Sequence, residues 1–238
     1  MRGNDNEKIA TIFDTDCFGL REAEGGNAKG IKMPEIEYFY SAHSAFAYLG
    51  SATFMKVAKA AGRTIRHRPV ALGRVVETLS SVPFGNRSAE HRAYFFGREI
   101  RRWSEERQAP VMDGIPSHHA NDTSLANGML IAGLEQGLVV DQLAHAMLEA
   151  HWRDDADLAD AETLSRLAQG LGLDPRPLLD AALSPAVQAK YEANTEEAIR
   201  CSVFGSPTYF VDGDMFYGQD RLDQVARALR QPYGGEWP

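Results

Sequence analysis

The residues that could do chemistry sit in three places. Ser44 lies between an apolar β-type run and a helical pattern. A helix start offers free N–H groups and the positive end of the helix dipole, so a hydroxyl there can cap the helix or help hold an anion such as a thiolate. By position alone, capping is the commoner role. Residues 203–208 read VFGSPT, which sets Ser206-Pro207 at the entrance of a strand. A proline there can simply start the strand. If its peptide bond is cis, Ser206 is left with a backbone edge for an extended, peptide-like ligand. Gln219-Asp220 opens the last helical pattern. Gln219 can donate to a carboxylate and Asp220 can accept from an ammonium, which suits an amino-acid head group, although Asp at a helix start is also an ordinary cap.

Histidine and cysteine add less. His118-His119 lacks the i, i+3 or i, i+4 spacing of a helical metal site, and no further Cys or His completes one. It reads as a loop feature at the mouth of a pocket, and no metal is expected. His43 could tune the acidity of its neighbour Ser44, but solvent exposure is the expectation. Arg92, Arg101, Arg102 and Trp103 read as a solvated helix face, with Arg92 the one placed to meet a carboxylate. Cys17 and Cys201 are the only two cysteines among 238 residues. They are expected to be reduced, with Cys201 a buried bystander.

The elements that position these residues follow from periodicity. Residues 36–40 (IEYFY) form a short strand. Residues 45–61 place Phe46, Leu49, Phe54, Val57 and Ala58 on one helical face, with Ser44 as N-cap and Gly62 as left-handed C-cap. Residues 64–71 form a second strand, completing β-α-β at the size of a parallel crossover. Helical signals then run through 88–108, 123–136, 141–151, 160–171, 175–183 and 185–201. Residues 208–211 and 215–217 are strands joined by Asp212-Gly213, a two-residue hairpin signal, and residues 220–229 close the chain as a helix. The order βαβ, helices, ββα is that of an α/β thioredoxin-like fold with a large all-helical insertion, in which the proline before the third strand is typically cis. Residues 33–73 and 202–238 would form the thioredoxin-like domain and 74–201 the inserted helical domain. Residues 1–32 hold five glycines without a period and are expected to be a flexible extension. Met33 is a second possible start.

Composition sets the outer limits. Lys+Arg number 25 against 33 Asp+Glu, a net charge of −8. This acidic balance excludes a general nucleic-acid binder. A hydrophobic fraction of 44% excludes disorder as the main state. No apolar stretch is long enough to span a bilayer and no membrane association is expected. The N-terminus lacks an apolar core of signal-peptide length, so a cytoplasmic location is expected.

Taken together, SAFAYLG (residues 44–50), RPVALG (68–73), PFGN (83–86), the AHW and DLAD segment (150–160) and FGSPTYFVDGDMFYGQDRL (204–222) resemble 2-hydroxychromene-2-carboxylate isomerases and the kappa-class glutathione transferases, within the DsbA-like thioredoxin superfamily. The resemblance covers about residues 35–230. It implies a homodimer with glutathione bound between the thioredoxin-like domain and the inserted helical domain. Ser44 takes the slot of the serine whose hydroxyl approaches the glutathione sulfur. Asn86 matches an asparagine of the family's Gly-Asn pair, and Ser206 with Pro207 matches the segment binding the glutathione backbone. Gln219 and Asp220 match the pair holding the γ-glutamyl end. The family commonly reads Ser-Pro-aromatic-Ser where this chain has Ser44-Ala45-Phe46-Ala47, and it often has an apolar residue where Ser206 stands.

The implied activity is glutathione-dependent cis-trans isomerisation of a conjugated aromatic acid, by reversible addition of the thiolate to the double bond. The alternative is a kappa-class-like glutathione S-transferase acting on a small electrophile, which keeps the thioether product. A redox-inactive DsbA-like binding protein is a third reading. Disulfide exchange itself is disfavoured, because residues 44–47 contain no thiol where that chemistry needs Cys-x-x-Cys.

Overall fold

The computed structural model describes residues 34–80 and 84–235. The expected N-terminal extension, with Cys17 and Met33, lies outside the described residues. Strand β1 (Glu35–Tyr40) leads through a tight turn into α1 (Ala45–Ala60), and β2 (Thr64–Pro69) returns parallel to β1. Strands β3 (Thr208–Val211) and β4 (Asp214–Tyr217) form a hairpin whose first strand runs antiparallel to β1. The sheet order is β2-β1-β3-β4. Asp212 and Gly213 both take positive φ, 50° and 93°, as the hairpin signal requires. The Ser206–Pro207 bond is cis.

Between β2 and β3 the chain is helical. It forms α2 (Leu72–Leu79), α3 (Ala89–Arg92), α4 (Ile100–Arg107), α5 (Ser124–Glu135), α6 (Asp141–Asp154), α7 (Ala161–Gly170), α8 (Pro175–Ala182) and α9 (Pro185–Arg200). A 3₁₀ turn (Gln219–Arg221) and α10 (Leu222–Ala228) follow the hairpin. Helix α2 has no counterpart in the periodicity reading. It is eight residues long, Ala71 caps it without a side-chain hydrogen bond, and it buries Leu72, Val75 and Val76. Tertiary burial rather than a start signal makes it a helix. The second strand accordingly ends at Pro69, short of the expected residue 71. The long helix expected over 88–108 is interrupted by a π-helical stretch, Ala93–Glu99.

The core is continuous from the sheet into the helical segment. Tyr38 stacks on Tyr40 and Tyr209, at centroid distances of 4.2 and 5.3 Å, and Phe54 of α1 tilts against Tyr38 and Tyr209. Trp152, Met129, Leu130, Leu143, Met147 and Leu148 of α5 and α6 belong to the same buried cluster. Burying side chains of this size contributes on the order of 1.5–3 kcal/mol each. The consequence for function is that the turn between β1 and α1 is gripped by the helical segment. Asn127 of α5, fully buried, accepts from the Ala42 N–H (3.0 Å) and donates to Ser41 Oγ (3.3 Å) and the Tyr191 hydroxyl (3.1 Å). The Trp152 indole N–H donates to the His43 carbonyl at 2.8 Å. Residues 41–44 are thus fixed from two helices.

Candidate active site

A cavity of about 340 Å³ opens where the start of α1, the residues before β3 and the helical segment meet. That is the size of a small-molecule site. Ser44 and Ser206 form part of one wall. Ser44 caps α1, its Oγ accepting from the Ala47 N–H at 3.3 Å, and donates to the Ser206 carbonyl, also at 3.3 Å. Ser206 as a residue is 8% exposed, and its hydroxyl oxygen is buried with no hydrogen-bond partner among the described residues. A buried hydroxyl left unpaired costs about 1–3 kcal/mol.

The other walls are aromatic and cationic. Phe46, Phe95, Phe96, Phe204, Tyr217 and Trp152 line the space with Ile115, Leu72 and Val76. The Phe46 and Phe95 rings lie 4.9 Å apart, and Phe204 meets Tyr217 edge-on at 4.7 Å. Residue 205 is held to glycine because any Cβ there would overlap the Tyr217 ring. Arg87 and Arg92 supply positive charge. The Arg87 guanidinium sits over Phe95, 4.8 Å from its centroid, and burial holds its pKa below the usual arginine value. Such a space takes a flat apolar body carrying an acid group.

His43 is corrected by the structure. It is not solvent-exposed. It is packed with His119 and His151, and both His43 and His119 line the cavity. The reason is the Trp152 and Asn127 grip, which turns residues 41–44 inward. Burial, with His119 and His151 alongside, pushes the His43 pKa down to about 3. Burial and His151 push that of His119 down to about 4, and burial lowers His151 as well. The cluster is therefore neutral at pH 7. Reading the histidines one at a time along the chain could not find it, because its members come from the β1–α1 turn, the loop before α5 and the end of α6.

The remaining expected site residues are dispersed. Pro207 directly follows the cavity wall. Asn86 is exposed on a 3₁₀ turn (Phe84–Asn86), and it is its neighbour Arg87 that reaches the cavity. Gln219 is buried and outside the lining. Arg107 Nε donates to its side-chain oxygen at 3.1 Å and Arg107 Nη2 to its backbone carbonyl at 3.0 Å. Asp220 is exposed and 3.5 Å from Arg221; burial raises the pKa of the Tyr217 hydroxyl, and the Asp220 charge adds to that rise. Arg92 lines the cavity, whereas Arg101 and Arg102 pair with Asp113 and Glu99 on the surface. Cys201 is buried behind the sheet with Phe39, Val70 and Phe210.

A four-stranded sheet with a helical block between its second and third strands, a Ser in place of the redox cysteine and a cis proline facing it define a thioredoxin-fold protein without thiol-exchange chemistry at that position. A model of the DSBA-like thioredoxin domain matches residues 35–230, and the chain belongs to this family. Within it, the chain is similar to the 2-hydroxychromene-2-carboxylate isomerase of Pseudomonas sp. (strain C18), with 28% identity over 205 residues, 84% of this chain and 93% of that protein. The enzyme of the same name from Sphingobium xenophagum is 26% identical, over 79% of this chain and 94% of that protein. A solved structure of a 2-hydroxychromene-2-carboxylate isomerase shares the fold, with a TM-score of 0.68 at 24% identity, covering 83% of this chain and 95% of that one. Among the described residues, no helix is long and apolar enough to cross a membrane.

Proposed function

We propose that this protein is an isomerase of aromatic acids of the 2-hydroxychromene-2-carboxylate type, with glutathione as its thiol cofactor. The observation that carries the reading is the approach of Ser44 to Ser206 at the wall of an aromatic, cationic cavity. When bound, glutathione supplies a nucleophilic sulfur that adds reversibly to a conjugated double bond and so permits rotation about it.

The chain's own residues fit that role. The Ser44 hydroxyl and the free N–H groups opening α1 favour negative charge beside them, which lowers a thiol pKa from its usual value of about 8.5. The Ser206 backbone at the cavity wall suits an extended peptide. Asp220, beside Tyr217, is assigned the ammonium end. Gln219 stays buried outside the cavity with its oxygen held by Arg107, so its part is structural support of the site rather than a ligand contact. Asn86 borders the cavity only through Arg87. On the substrate side, Arg87 and Arg92 attract the acid group, while Phe46, Phe95 and Phe204 face the ring and exclude water. A homodimer and a cytoplasmic location belong to the same proposal, since the cytosol is the compartment kept reduced by glutathione.

Calorimetric titration with glutathione, and conversion of 2-hydroxychromene-2-carboxylate followed by absorbance, test the reading. Binding at millimolar concentration or below is expected, with conversion that depends on glutathione and returns it unchanged. No binding in that range removes glutathione from the mechanism, and a stable thioether product moves the protein to the transferases.

A further inference from the structure

The histidine cluster is not used by the thiol chemistry, yet two of its members, His43 and His119, line the same cavity. Its proton positions follow from its partners. His151 Nδ1 lies 2.9 Å from the Ala156 carbonyl, which can only accept, so His151 carries its proton there. His151 Nε2 is then a lone pair. It lies 3.0 Å from His119 Nδ1, which must be the donor. In the neutral ring this leaves His119 Nε2 as a lone pair. His43 is set the opposite way. Ser41 is fully buried, its Oγ accepts from Asn127, and its hydrogen is left for His43 Nδ1 at 2.8 Å. His43 Nε2 therefore carries N–H. The two rings are 4.9 Å apart. Neither Nε2 has a hydrogen-bond partner among the described residues. The cavity thus holds a base and a hydrogen-bond donor side by side, both fixed by buried groups behind them.

We propose that His119 and His43 catalyse opening and closing of the cyclic hemiketal of a 2-hydroxychromene-type acid, a proton transfer separate from the thiol step. His119 Nε2 takes the proton from the hemiketal hydroxyl. The electron pair of that O–H bond becomes the second bond of the new ketone. The ring C–O bond breaks, and its pair stays on the aryl oxygen, where the His43 N–H donates a hydrogen bond. His119 then returns the same proton to the aryl oxygen, giving a phenol and an α-keto acid, with both imidazoles neutral again. Nothing is oxidised or consumed. A neutral imidazole suits this work, since it has a lone pair to take the proton and, once charged, gives it up readily to an aryloxide. His151 acts through His119 and is a positioning residue.

This inference rests on the chromene-acid reading of the site but not on glutathione, so the experiment omits the thiol. With 2-hydroxychromene-2-carboxylate alone, the wild-type protein should accelerate exchange between the cyclic and open cis forms, read by exchange NMR. His119→Asn places an amide N–H near the Nδ1 position for His151 Nε2 but cannot relay a proton. It should lose roughly 10²-fold or more of that rate, within the usual range for general acid–base catalysis, while binding glutathione as the wild type does. A solvent deuterium isotope effect on the wild-type rate, expected to be normal, serves if the variant does not fold. No acceleration by the wild type, full rate in the variant, or no isotope effect each overturns the proposal. Acceleration without any glutathione binding leaves it standing and sinks the thiol mechanism instead.

Discussion

Replacing Ser44 by Ala separates two roles of one hydroxyl, and their sizes differ. In the structure the hydroxyl makes two contacts of 3.3 Å, from the Ala47 N–H and to the Ser206 carbonyl. Both are long for hydrogen bonds of their kind. The stability lost is therefore that of an average N-cap, about 1 kcal/mol. The effect on a bound thiol is larger. Turned from the Ser206 carbonyl onto a thiolate, the same donor makes a charge-assisted bond worth roughly 1.5–3 kcal/mol. At 1.36 kcal/mol per unit, its loss raises the bound-thiol pKa by about one to two units. The thiolate fraction near neutral pH, and turnover with it, then falls about 10- to 100-fold. Far-ultraviolet thiolate absorbance against pH, measured on the glutathione complex, reads the pKa, and urea denaturation reads the stability. Ser44→Thr retains cap and donor and should keep most of both. A Ser44→Ala protein with the wild-type thiol pKa would refute the assignment, whatever its activity.

Other outcomes follow from single contacts. Asn127→Leu keeps a similar shape but strands the Ala42 N–H and takes a donor from the hydroxyls of Ser41 and Tyr191, so urea denaturation should show a loss of about 2–3 kcal/mol. A loss below half a kcal/mol would mean that the β1–α1 turn is held by something else. His43 and His119 bind protons more weakly folded (about 3 and 4) than unfolded (6.5). The unfolded chain therefore takes up more protons as pH falls below about 6.5. Stability is full above that value, declines through pH 6 to 4, and levels off once the folded pKa values are passed. His119→Gln should flatten this decline by on the order of 1 kcal/mol between pH 6.5 and 5, and an unchanged slope would contradict the burial argument. Arg92→Met removes an exposed cation at the cavity, so KM for the aromatic acid should rise about fivefold with kcat nearly constant, as for loss of about 1 kcal/mol of surface attraction; a fall in kcat alone would place Arg92 elsewhere in the reaction.

What the linear chain determined is everything set by local period and local chemistry. The aromatic β-type run of β1, the helical face of α1, the Ser44 cap, the Gly62 stop and the Asp212-Gly213 turn are each decided within a few residues. Their order was enough to give a thioredoxin-like arrangement with helices between its halves. Helix α2 escaped because its stability comes from burying Val75 and Val76, not from a cap. The meeting of Ser44 with Ser206 was legible only through the likeness of several motifs taken together, because 162 residues separate the pair. The tertiary structure alone decided the rest. Arg107 occupies the Gln219 oxygen, Arg87 rather than Asn86 reaches the cavity, and three histidines from separate segments share one buried cluster. Burial and hydrogen-bond partners set a side chain's charge, tautomer and direction, and both are supplied by neighbours that only folding brings within reach.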